Sequence, residues 1–514
     1  MTGTMARTAT SVRVSPAPVH LTRPRPPNRH GSPSPSVVHL AGECAPFART
    51  GGLGEVVRTL AEAQAASGMA VSIIVPLYRV IRGLVGDLAP ATESFTIRVG
   101  SRQERVRLLR TQARAGEPVT LFVDHPAFSN RPGLYGDGGE DYPDNAFRFA
   151  LFSIAALTAL PQIAPDASVL HAHDWHAALA PVYLRTVLRN DPIVPRLATV
   201  LTVHNAGFQG HFAPGVVPEL GLSWDLYDWR HFEWYGRMNV LKGGLTFADL
   251  VTTVSPTHAR ELTTPLGGFG LHETFASLGD RLVGVLNGID QHTWDPATDP
   301  HLRAQFSAGS LAGKRACKAA LQRAFRLAPR PDVPLFAMCA RFVAQKGIDT
   351  LLDSGVLDRS DAQFILLGEG EAQYTSTLAM RAVTAPESIG VQLAFSDRME
   401  HLLLAGADAC LMPSVYEPCG LTQMRAQRYG TLPVAHRVGG LADTIDEETG
   451  FLFAPHTPAA LADAVERAVA AYADESYWIA RMRAGMRKDF GWARSAAMYQ
   501  EVYGGAAALP VLQV

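Results

Sequence analysis

Short apolar runs alternate with helix-like stretches along the chain from residue 37 onward. Short apolar runs bounded by polar or glycine-rich turns are typical of strands in a buried parallel sheet. A first series comprises residues 37–40, 71–75, 168–171, 199–203 and 250–254, and a second comprises residues 335–339, 364–367, 391–393, 409–413 and 432–434. The stretches between the runs predict helices, including residues 55–67, 421–429 and 492–503.

This alternation predicts an α/β fold with two doubly wound parallel sheets, each in a Rossmann-like domain. We place the N-terminal domain at residues 37–290 and the C-terminal domain at residues 291–487, with residues 488–510 packing back on the first. Residues 1–36 are rich in Pro, Ser, Thr and Arg and lack Asp and Glu. This composition favours a disordered basic tail, although a transit peptide has a similar composition.

The composition argues against several classes of protein. The chain of 514 residues is too long for one core, and its formal net charge of −2 gives no electrostatic footprint for nucleic acid or an anionic membrane. The five cysteines form no CxxC pair, which disfavours a zinc site or a disulfide framework and fits the cytoplasm. The chain also lacks the GxSxG, P-loop and HExxH patterns of serine hydrolases, P-loop NTPases and zinc proteases.

The most informative polar cluster follows the apolar run 409–413 and reads Glu-Pro-Cys-Gly-Leu-Thr-Gln over residues 417–423. A strand, a tight turn and a helix N-terminus together direct free backbone N–H groups at one point, which suits an anion. Glu417, just ahead of that point, could hold the hydroxyls of a sugar attached to the anion. The alternative is an ordinary helix start with Glu417 as a dipole partner.

Four further polar clusters follow other apolar runs of the two series. Arg49 precedes a glycine turn, and Arg341 with Lys346 follows a run directly, so these groups could bind a diphosphate. Asp174, and His204 with its neighbour Asn205, could orient a sugar. Each cluster alone has an ordinary structural explanation, such as a simple turn, a buried histidine or a solvated pair of charges. Because parallel strands end at one edge of a sheet, the clusters together favour one ligand site in the cleft between the sheets.

The histidines at 171, 173 and 176 raise the alternative of a metal site. No cluster of Cys or carboxylate residues completes a site at a recognisable spacing. We therefore predict that the protein binds no metal. A structural histidine at the end of a strand is a second alternative, and a substrate-orienting role for Asp174 is the interpretation that we favour.

Taken in order, these clusters resemble those of the bacterial glycogen (starch) synthases of glycosyltransferase family 5, over about residues 37–505. Many short motifs in one order make the resemblance specific. They lie at residues 43–53, 171–177, 202–205, 253–256, 286–290, 340–347, 417–423, 428–431 and 439–444.

The resemblance implies the GT-B architecture, in which two Rossmann-like domains face a deep cleft. It implies transfer of glucose from ADP-glucose to the non-reducing end of an α-1,4-glucan such as glycogen, with retention of the anomeric configuration. ADP-glucose would be a substrate, and no cofactor or metal is expected. Three alternatives stay open: a relative that uses UDP-glucose, one that forms a maltose phosphate, and a non-catalytic protein that binds glucan or sugar nucleotide.

By match to the family's motifs, the resemblance also implies a role for individual residues. Arg341 and Lys346 would bind the diphosphate and stabilise its departure, while Glu417 would hold the glucose hydroxyls. Asp174, His204 and Asn287 would line the glucose site. The remaining substrate-binding residues, with Phe395 near the adenine, would be Arg49, Gly51, Gly52, Asn205, Phe395, Cys419, Gly420, Leu421 and Thr422.

The sequence departs from the family pattern at several of these clusters. Arg49 replaces the usual Lys of the glycine loop, which keeps the charge but changes its geometry. Val415 and Tyr416 replace the common Arg-Phe, so one cation near the cleft is lost. Other departures are Glu55 for Asp, Cys317 for Asn, and Ala394-Phe395 for Gly-Tyr. They bear on efficiency and nucleotide preference rather than on the class of reaction.

Overall fold

A computed structural model of the chain describes residues 35–86, 88–114, 116–191 and 197–509. The predicted N-terminal tail lies outside the described residues, except for its last two positions. The strands of the N-terminal half are β1 Ser36–Leu40, β2 Ala70–Pro76, β3 Ala89–Pro90, β4 Phe95–Val99, β5 Arg102–Arg110, β6 Val119–Asp124, β7 Gly136–Asp137, β8 Glu140–Asp141, β9 Val169–His173, β10 Ala198–Val203, β11 His211–Phe212, β12 Glu233–Trp234, β13 Arg237–Asn239, β14 Leu250–Thr253 and β15 Leu282–Gly284.

The main sheet of the N-terminal half has the order β15-β14-β10-β9-β1-β2-β6-β5-β3 among the described residues, and β4 pairs with β5. Strands β1, β2, β6, β9, β10, β14 and β15 are parallel, whereas β3, β4 and β5 run antiparallel at one edge. The chain runs outward from β1 to β6 and then returns to β9 on the other side of β1. The strand order therefore switches between β1 and β9, which is where ligands bind in open α/β sheets.

The sheet of the C-terminal half repeats this arrangement with fewer strands. Its order is β18-β17-β16-β19-β20-β21, and all of its pairings are parallel. The switch lies between β16 and β19. Its strands are β16 Leu335–Cys339, β17 Gln363–Leu367, β18 Ile389–Gln392, β19 Ala409–Met412, β20 Leu432–His436 and β21 Phe451–Phe453.

Helices connect the strands and cover both sheets, so the apolar runs of the sequence become the cores of the two halves. The predicted fold class, with two doubly wound sheets, is confirmed. The helices are α1 Gly52–Ala66, α2 Arg79–Leu84, α3 Pro126–Ser129, α4 Asn145–Ile163, α5 Asp174–Ala177, α6 Leu179–Arg185, α7 Val216–Glu219, α8 Val240–Phe247, α9 Pro256–Leu262, α10 His272–Ser277, α11 Ala312–Ala324, α12 Ile348–Asp353, α13 Ala372–Thr384, α14 Asp397–Gly406, α15 Thr422–Arg428, α16 Gly439–Thr444, α17 Pro458–Tyr472, α18 Glu475–Arg487 and α19 Trp492–Ala508.

Several predicted elements differ in extent from the structure, and two of them involve glycine. Helix α1 begins at Gly52 rather than at residue 55. The first N–H groups of any helix have no acceptor within the helix, so glycine at these positions breaks no hydrogen bond of the helix. The edge strand predicted at 391–393 is β18, Ile389–Gln392. Gly390 lies inside this strand, and a Cβ there would lie 2.7 Å from the ring of Phe325. Close packing therefore requires glycine at this position.

Helix α4, Asn145–Ile163, is strongly apolar. Within the described part of the chain it is the helix that is long and apolar enough by composition to cross a membrane. However, 72% of its most apolar window is buried inside the molecule, and Phe149 and Phe152 lie in the core of the N-terminal half. These features are typical of the core helix of a globular protein.

The last helix, α19, packs on the N-terminal half, although the sequence reaches it after the C-terminal sheet is complete. Trp492, Tyr499 and Tyr503 are buried in the same core as β1 and β9. The chain thus crosses between the halves twice, before α11 and before α19. The position of the domain boundary itself, near residue 290, stays a prediction.

The turn after β16 depends on Gly347, which has φ of 71°. A Cβ at this position would lie 1.8 Å from the carbonyl oxygen of Pro413, at the end of β19. We expect Gly347→Ala to lower the free energy of unfolding by about 2 kcal/mol or more, because left-handed backbone alone costs an L-residue 1–2 kcal/mol. Urea denaturation followed by circular dichroism measures this change.

Gly504→Ala is the matched control for this substitution. Gly504 lies in α19, and a Cβ there meets nothing within 4 Å. It should therefore be neutral or stabilise the helix by up to about 1 kcal/mol. Equal effects of the two substitutions would contradict the close approach of the loop after β16 to β19.

Candidate active site

The predicted site residues follow the strands that flank the two switch points. In the N-terminal half, Asp174 follows β9 and His204 follows β10. In the C-terminal half, the loop from Arg341 to Lys346 follows β16, and Glu417 follows β19. The structure brings these two edges together, since a Cβ on Gly52 would lie 3.9 Å from Cδ1 of Leu421. We call the region between the edges the cleft.

Asp174 is held in an unusual state by its surroundings. Its backbone has φ of 55°, a left-handed conformation that is uncommon for residues other than glycine, although Asp adopts it more often than most. The side chain is buried, and its Oδ1 accepts a hydrogen bond from the backbone N–H of His204 at 2.7 Å. Burial raises the pKa of Asp174 to about 7, against the lowering effect of the N–H groups of His204 and Asn205. The carboxyl group can therefore change its charge near neutral pH.

Asn205 joins the two walls of the cleft. Its Oδ1 accepts a hydrogen bond from the backbone N–H of Gly207 at 2.9 Å, and its side chain also bonds to the hydroxyl of Tyr416. The ring of Tyr416 meets the ring of Phe269 edge to face, with 4.8 Å between the ring centroids. Tyr416 belongs to the C-terminal half, whereas Asn205 and Phe269 belong to the N-terminal half.

The cationic cluster after β16 has one paired and one unpaired member. The Nζ of Lys346 lies 2.6 Å from Oε2 of Glu417, and the hydroxyl of Ser414 donates to the same oxygen at 3.0 Å. Oε1 of Glu417 accepts no hydrogen bond from any described residue. Arg341 is exposed, and its guanidinium makes no hydrogen bond or ion pair within the described residues. One guanidinium and one carboxylate oxygen are thus left for a ligand.

The glycine loop places Gly51 and Gly52 at the start of α1, a helix of 15 residues. No described side chain caps this N-terminus, so its first N–H groups have no side-chain acceptor. A Cβ on Gly51 would meet nothing within 4 Å, which leaves open space beside the loop. Arg49 lies at the same edge and pairs with Asp397 of the C-terminal half at 2.8 Å. An anion at this helix end would face Arg49 and the C-terminal half.

On the opposite wall, the residues 419–422 form the turn that leads into α15. Gly420 has φ of 70°, and the N-terminus of α15 has no side-chain cap from the described residues. Cys419 is buried, and burial raises the pKa of its thiol to about 12, so the thiol is neutral. Asn287 hydrogen bonds to Cys419, and its own Oδ1 is buried without a partner in the described structure. The side-chain oxygen Oδ1 of Asn287 is therefore available to a ligand.

Phe395 lies at the margin of the cleft, after the edge strand β18. Its side chain is 44% exposed, and its backbone N–H donates to Oε1 of Glu369 at 3.0 Å. The Asp397 that pairs with Arg49 is two residues further along the chain. An exposed ring beside this ion pair is suited to stack on a flat group such as a nucleotide base.

The three histidines of the 171–176 segment do not form one group. His176 stacks on Tyr135 with 4.4 Å between the ring centroids. His171 and His173 instead lie beside His39, and the potential ligand atoms of these three lie within 4.8 Å of one another. Every ring nitrogen of His39, His171 and His173 already makes a hydrogen bond to a protein group. The rings therefore serve a hydrogen-bond network in the structure described.

Sequence reasoning missed the contacts that join the walls of the cleft, including those of Arg425 and Tyr416. Arg425 is buried and bonds to Glu55 of the N-terminal half as well as to Glu400. The Tyr416–Asn205 contact was also missed, because the sequence showed only that Tyr416 departs from the family pattern. Neither contact leaves a signal in spacing or periodicity, since its partners lie at least 211 positions apart in the chain. The positive φ of Phe269, 50°, likewise has no signal in the sequence.

The raised pKa of Asp174 makes a prediction about stability. Between about pH 4 and pH 7 the folded protein binds a proton at Asp174 that the unfolded chain has lost, so this group's contribution to stability falls as the pH rises through that window. Asp174→Asn removes the effect. From pH 5 to pH 8, we expect the free energy of unfolding of the variant to gain about 2–3 kcal/mol relative to the wild type.

Urea denaturation of both proteins at the two pH values measures this difference. Asp280→Asn, at an exposed position of the same half, is the control and should show no such change. If the difference in free energy of unfolding between Asp174→Asn and the wild type is the same at pH 5 and pH 8, burial does not raise the pKa of Asp174.

Comparison with known proteins identifies the family of the chain. A profile of the starch synthase catalytic domain matches residues 36–277, and a profile of group 1 glycosyl transferases matches residues 322–484. The glycogen synthase of Anaeromyxobacter dehalogenans strain 2CP-C is 42% identical over 475 residues, which cover 91% of this chain and 98% of that protein.

Solved structures show the same relationship. The catalytic domain of starch synthase IV from Arabidopsis thaliana, bound to ADP and acarbose, superposes with a TM-score of 0.82 at 32% identity and covers 93% of this chain and 100% of that one. Sucrose-phosphate synthase from Thermosynechococcus elongatus has a TM-score of 0.58 at 19% identity over 91% of this chain and 98% of that one, a likeness of the fold alone. The expected GT-B architecture is confirmed. The chain therefore belongs to the glycogen and starch synthase family of glycosyltransferases.

Proposed function

We propose that this protein is a retaining glucosyltransferase that moves glucose from ADP-glucose to the non-reducing end of an α-1,4-glucan. The observation that carries the proposal is the two-sided site. Arg341 and Lys346, which are suited to bind phosphate, follow a strand of the C-terminal half, whereas Asp174 and His204 follow strands of the N-terminal half. An uncapped helix N-terminus lies on each wall, that of α1 on the N-terminal side and that of α15 on the C-terminal side. The related starch synthase IV, whose structure contains ADP and acarbose, supports the same pairing of a nucleotide with a sugar chain.

The leaving group of this reaction is ADP, and its departure builds negative charge on the diphosphate. Fixed positive groups at that point stabilise the transition state more than the ground state. Arg341 has no partner among the described residues, and the first N–H groups of α1 have no side-chain acceptor. Both are therefore ready to bind phosphate oxygens without first breaking a contact.

Lys346 and Glu417 form an ion pair whose hydrogen bonds can rearrange when the donor binds. In the structure Lys346 pairs with Oε2 of Glu417, while Oε1 has no bond to the described residues. The ammonium is flexible enough to share its donors between Glu417 and a phosphate. Glu417 would then accept hydrogen bonds from the glucose hydroxyls, so that one ion pair connects the sugar end and the phosphate end of the donor.

Retention of the anomeric configuration needs one of two routes. Either a nucleophile on the protein attacks the anomeric carbon first, or the acceptor hydroxyl attacks it from the same face from which the leaving group departs. Cys419 is unsuited as a nucleophile, because burial raises the pKa of its thiol to about 12. Asp174 is bound by a backbone N–H and has a pKa raised by burial to about 7. We therefore favour attack from the departing face, with the leaving phosphate taking the proton of the acceptor hydroxyl.

The proposal includes no cofactor and no metal, and it places the enzyme in the cytoplasm. The charge that a metal would neutralise falls to Arg341, Lys346 and the helix N-termini. Arg49 takes part on the N-terminal side, where donor binding would compete with its pairing to Asp397. Asn287, with its unpartnered Oδ1, and Asn205 would complete the sugar side of the site.

Transfer of labelled glucose to glycogen tests the proposed function directly. We expect the purified protein to label glycogen from ADP-glucose in the presence of a metal chelator, and to do so faster than from UDP-glucose. Glu417→Gln should lower kcat by about 100-fold or more, because it removes a charged acceptor that is fixed in the site. A folded protein that labels no polymer from either donor would disprove the proposal, and label found in maltose phosphate would favour the alternative acceptor.

The role of the free guanidinium makes a separate prediction. Arg341→Ala should lower kcat by about 10²–10³-fold, which corresponds to about 3–4 kcal/mol of transition-state stabilisation. Arg98→Ala is the control, since Arg98 is an exposed arginine on the edge strand β4. Steady-state kinetics with ADP-glucose measure both variants. Equal kcat values for the two variants would show that Arg341 does not take part in catalysis.

A further inference from the structure

A chain of buried hydrogen bonds leads from His204, at the cleft, into the core of the N-terminal half. Nε2 of His204 lies 2.9 Å from Nδ1 of His173, and Nε2 of His173 lies 2.9 Å from Nδ1 of His39. Nε2 of His39 lies 2.7 Å from Oε1 of Gln64. The amide of Gln64 in turn donates to the hydroxyl of Tyr503, in α19, at 2.8 Å.

The chain continues on the far side of Tyr503, so its inner end also has partners. The Tyr503 hydroxyl lies 2.8 Å from Nδ1 of His171. Nε2 of His171 bonds to Oγ1 of Thr202 at 2.5 Å, and Thr202 bonds to Thr252. Hydroxyl groups both donate and accept. This end therefore satisfies the chain without a charge.

The imidazole rings of the chain are neutral. Burial lowers the pKa of His39 to about 4 and that of His204 to about 3, and it holds the pKa of His173 well below its ordinary value. A neutral imidazole has one N–H donor and one bare nitrogen acceptor. Each ring must therefore donate on one side and accept on the other, which gives the whole chain a single direction.

Gln64 sets that direction. Its amide oxygen faces His39, so His39 carries its proton on Nε2 and accepts on Nδ1. His173 must then donate from Nε2 to His39, and His204 must donate from Nε2 to His173. The Nδ1 of His204 is left as a bare acceptor, and no described group bonds to it.

We propose that Gln64, held by Tyr503, acts through His39 and His173 to fix the tautomer of His204, so that its Nδ1 accepts a hydrogen bond from a hydroxyl of the glucose being transferred. Gln64 is thus a positioning residue that does not touch the substrate. The inference rests on the proposed function only in giving that hydroxyl as the partner. The direction of the chain follows from the structure alone.

Substitution of Gln64 separates this role from a structural one. With Gln64→Met, His39 loses its acceptor, and retaining the same direction would leave a buried N–H without a partner. The protons are then expected to move to Nδ1 of all three rings, which turns Nδ1 of His204 into a donor. Gln64→Glu keeps an acceptor toward His39 and should restore the original direction.

The kinetic expectation is a loss of about tenfold in kcat for Gln64→Met, the value of one misdirected hydrogen bond, with the KM for glycogen unchanged. Gln64→Glu should recover most of this loss. Gln322→Met is the matched control, because Gln322 is also buried and hydrogen bonded but lies in the C-terminal half. It should lower the melting temperature without changing kcat.

A spectroscopic measurement tests the tautomer without relying on activity. In protein with isotope-labelled histidine, the two ring nitrogens of His204 have different chemical shifts, depending on which one carries the proton. His204→Ala identifies its signals. The wild type and Gln64→Glu should show the proton on Nε2, and folded Gln64→Met should show it on Nδ1.

The outcomes distinguish two parts of the proposal, namely the control of the His204 tautomer by Gln64 and the contact of His204 with glucose. If Gln64→Met leaves both the tautomer of His204 and kcat unchanged, the inference is wrong, whatever reaction the enzyme catalyses. If the tautomer changes but neither Gln64→Met nor His204→Ala affects kcat, the chain exists and the proposed contact of His204 with glucose is wrong.

Discussion

The site depends on one buried guanidinium. Arg425, in α15, bonds to Glu55 in the first turn of α1 and to Glu400 in α14, and it lies 4.3 Å above the ring of Trp294. The two helices joined in this way are those whose uncapped N-termini face the cleft. Removing a charge from water is costly unless its partners are well placed. This ion pair can therefore form only when both cleft walls are in register, so it couples the relative position of the halves to the geometry of the phosphate site.

A second constraint is that the N-terminal wall is built from desolvated polar groups. Asp174 is buried with φ of 55° and a pKa of about 7, and the adjacent His204 ends a buried chain of neutral rings. Arrangements of this kind are less stable than an apolar core, because buried polar groups must be fully satisfied to be tolerated. Their cost is consistent with a functional site, where strained and desolvated groups are common. The C-terminal wall differs, since its charged groups Lys346 and Glu417 are paired with each other.

Much of this arrangement could be predicted from the sequence. The parallel strands that lead to the site and the polar clusters behind them were placed correctly, because buried parallel strands leave continuous apolar runs and their ends leave turns. The antiparallel strands β3 to β5 were missed, since β5 is crowded with arginines and shows no clear alternation. Gly52 was assigned to the glycine turn ahead of the predicted helix, yet it opens α1. For the roles of the site residues, the sequence offered predictions that the structure places in one cleft but does not test.

The amino-acid sequence by itself determined the fold class, the family and the identity of the residues in each polar cluster, because these depend on local patterns of a few residues. Only the tertiary structure decided how the clusters act on one another. The pairing of Lys346 with Glu417, the contact of Tyr416 with Asn205, and the line from His204 to Tyr503 all join groups far apart in the chain. Hydrogen bonds and desolvation depend on distances of a few ångströms in space, and separation along the chain does not specify those distances.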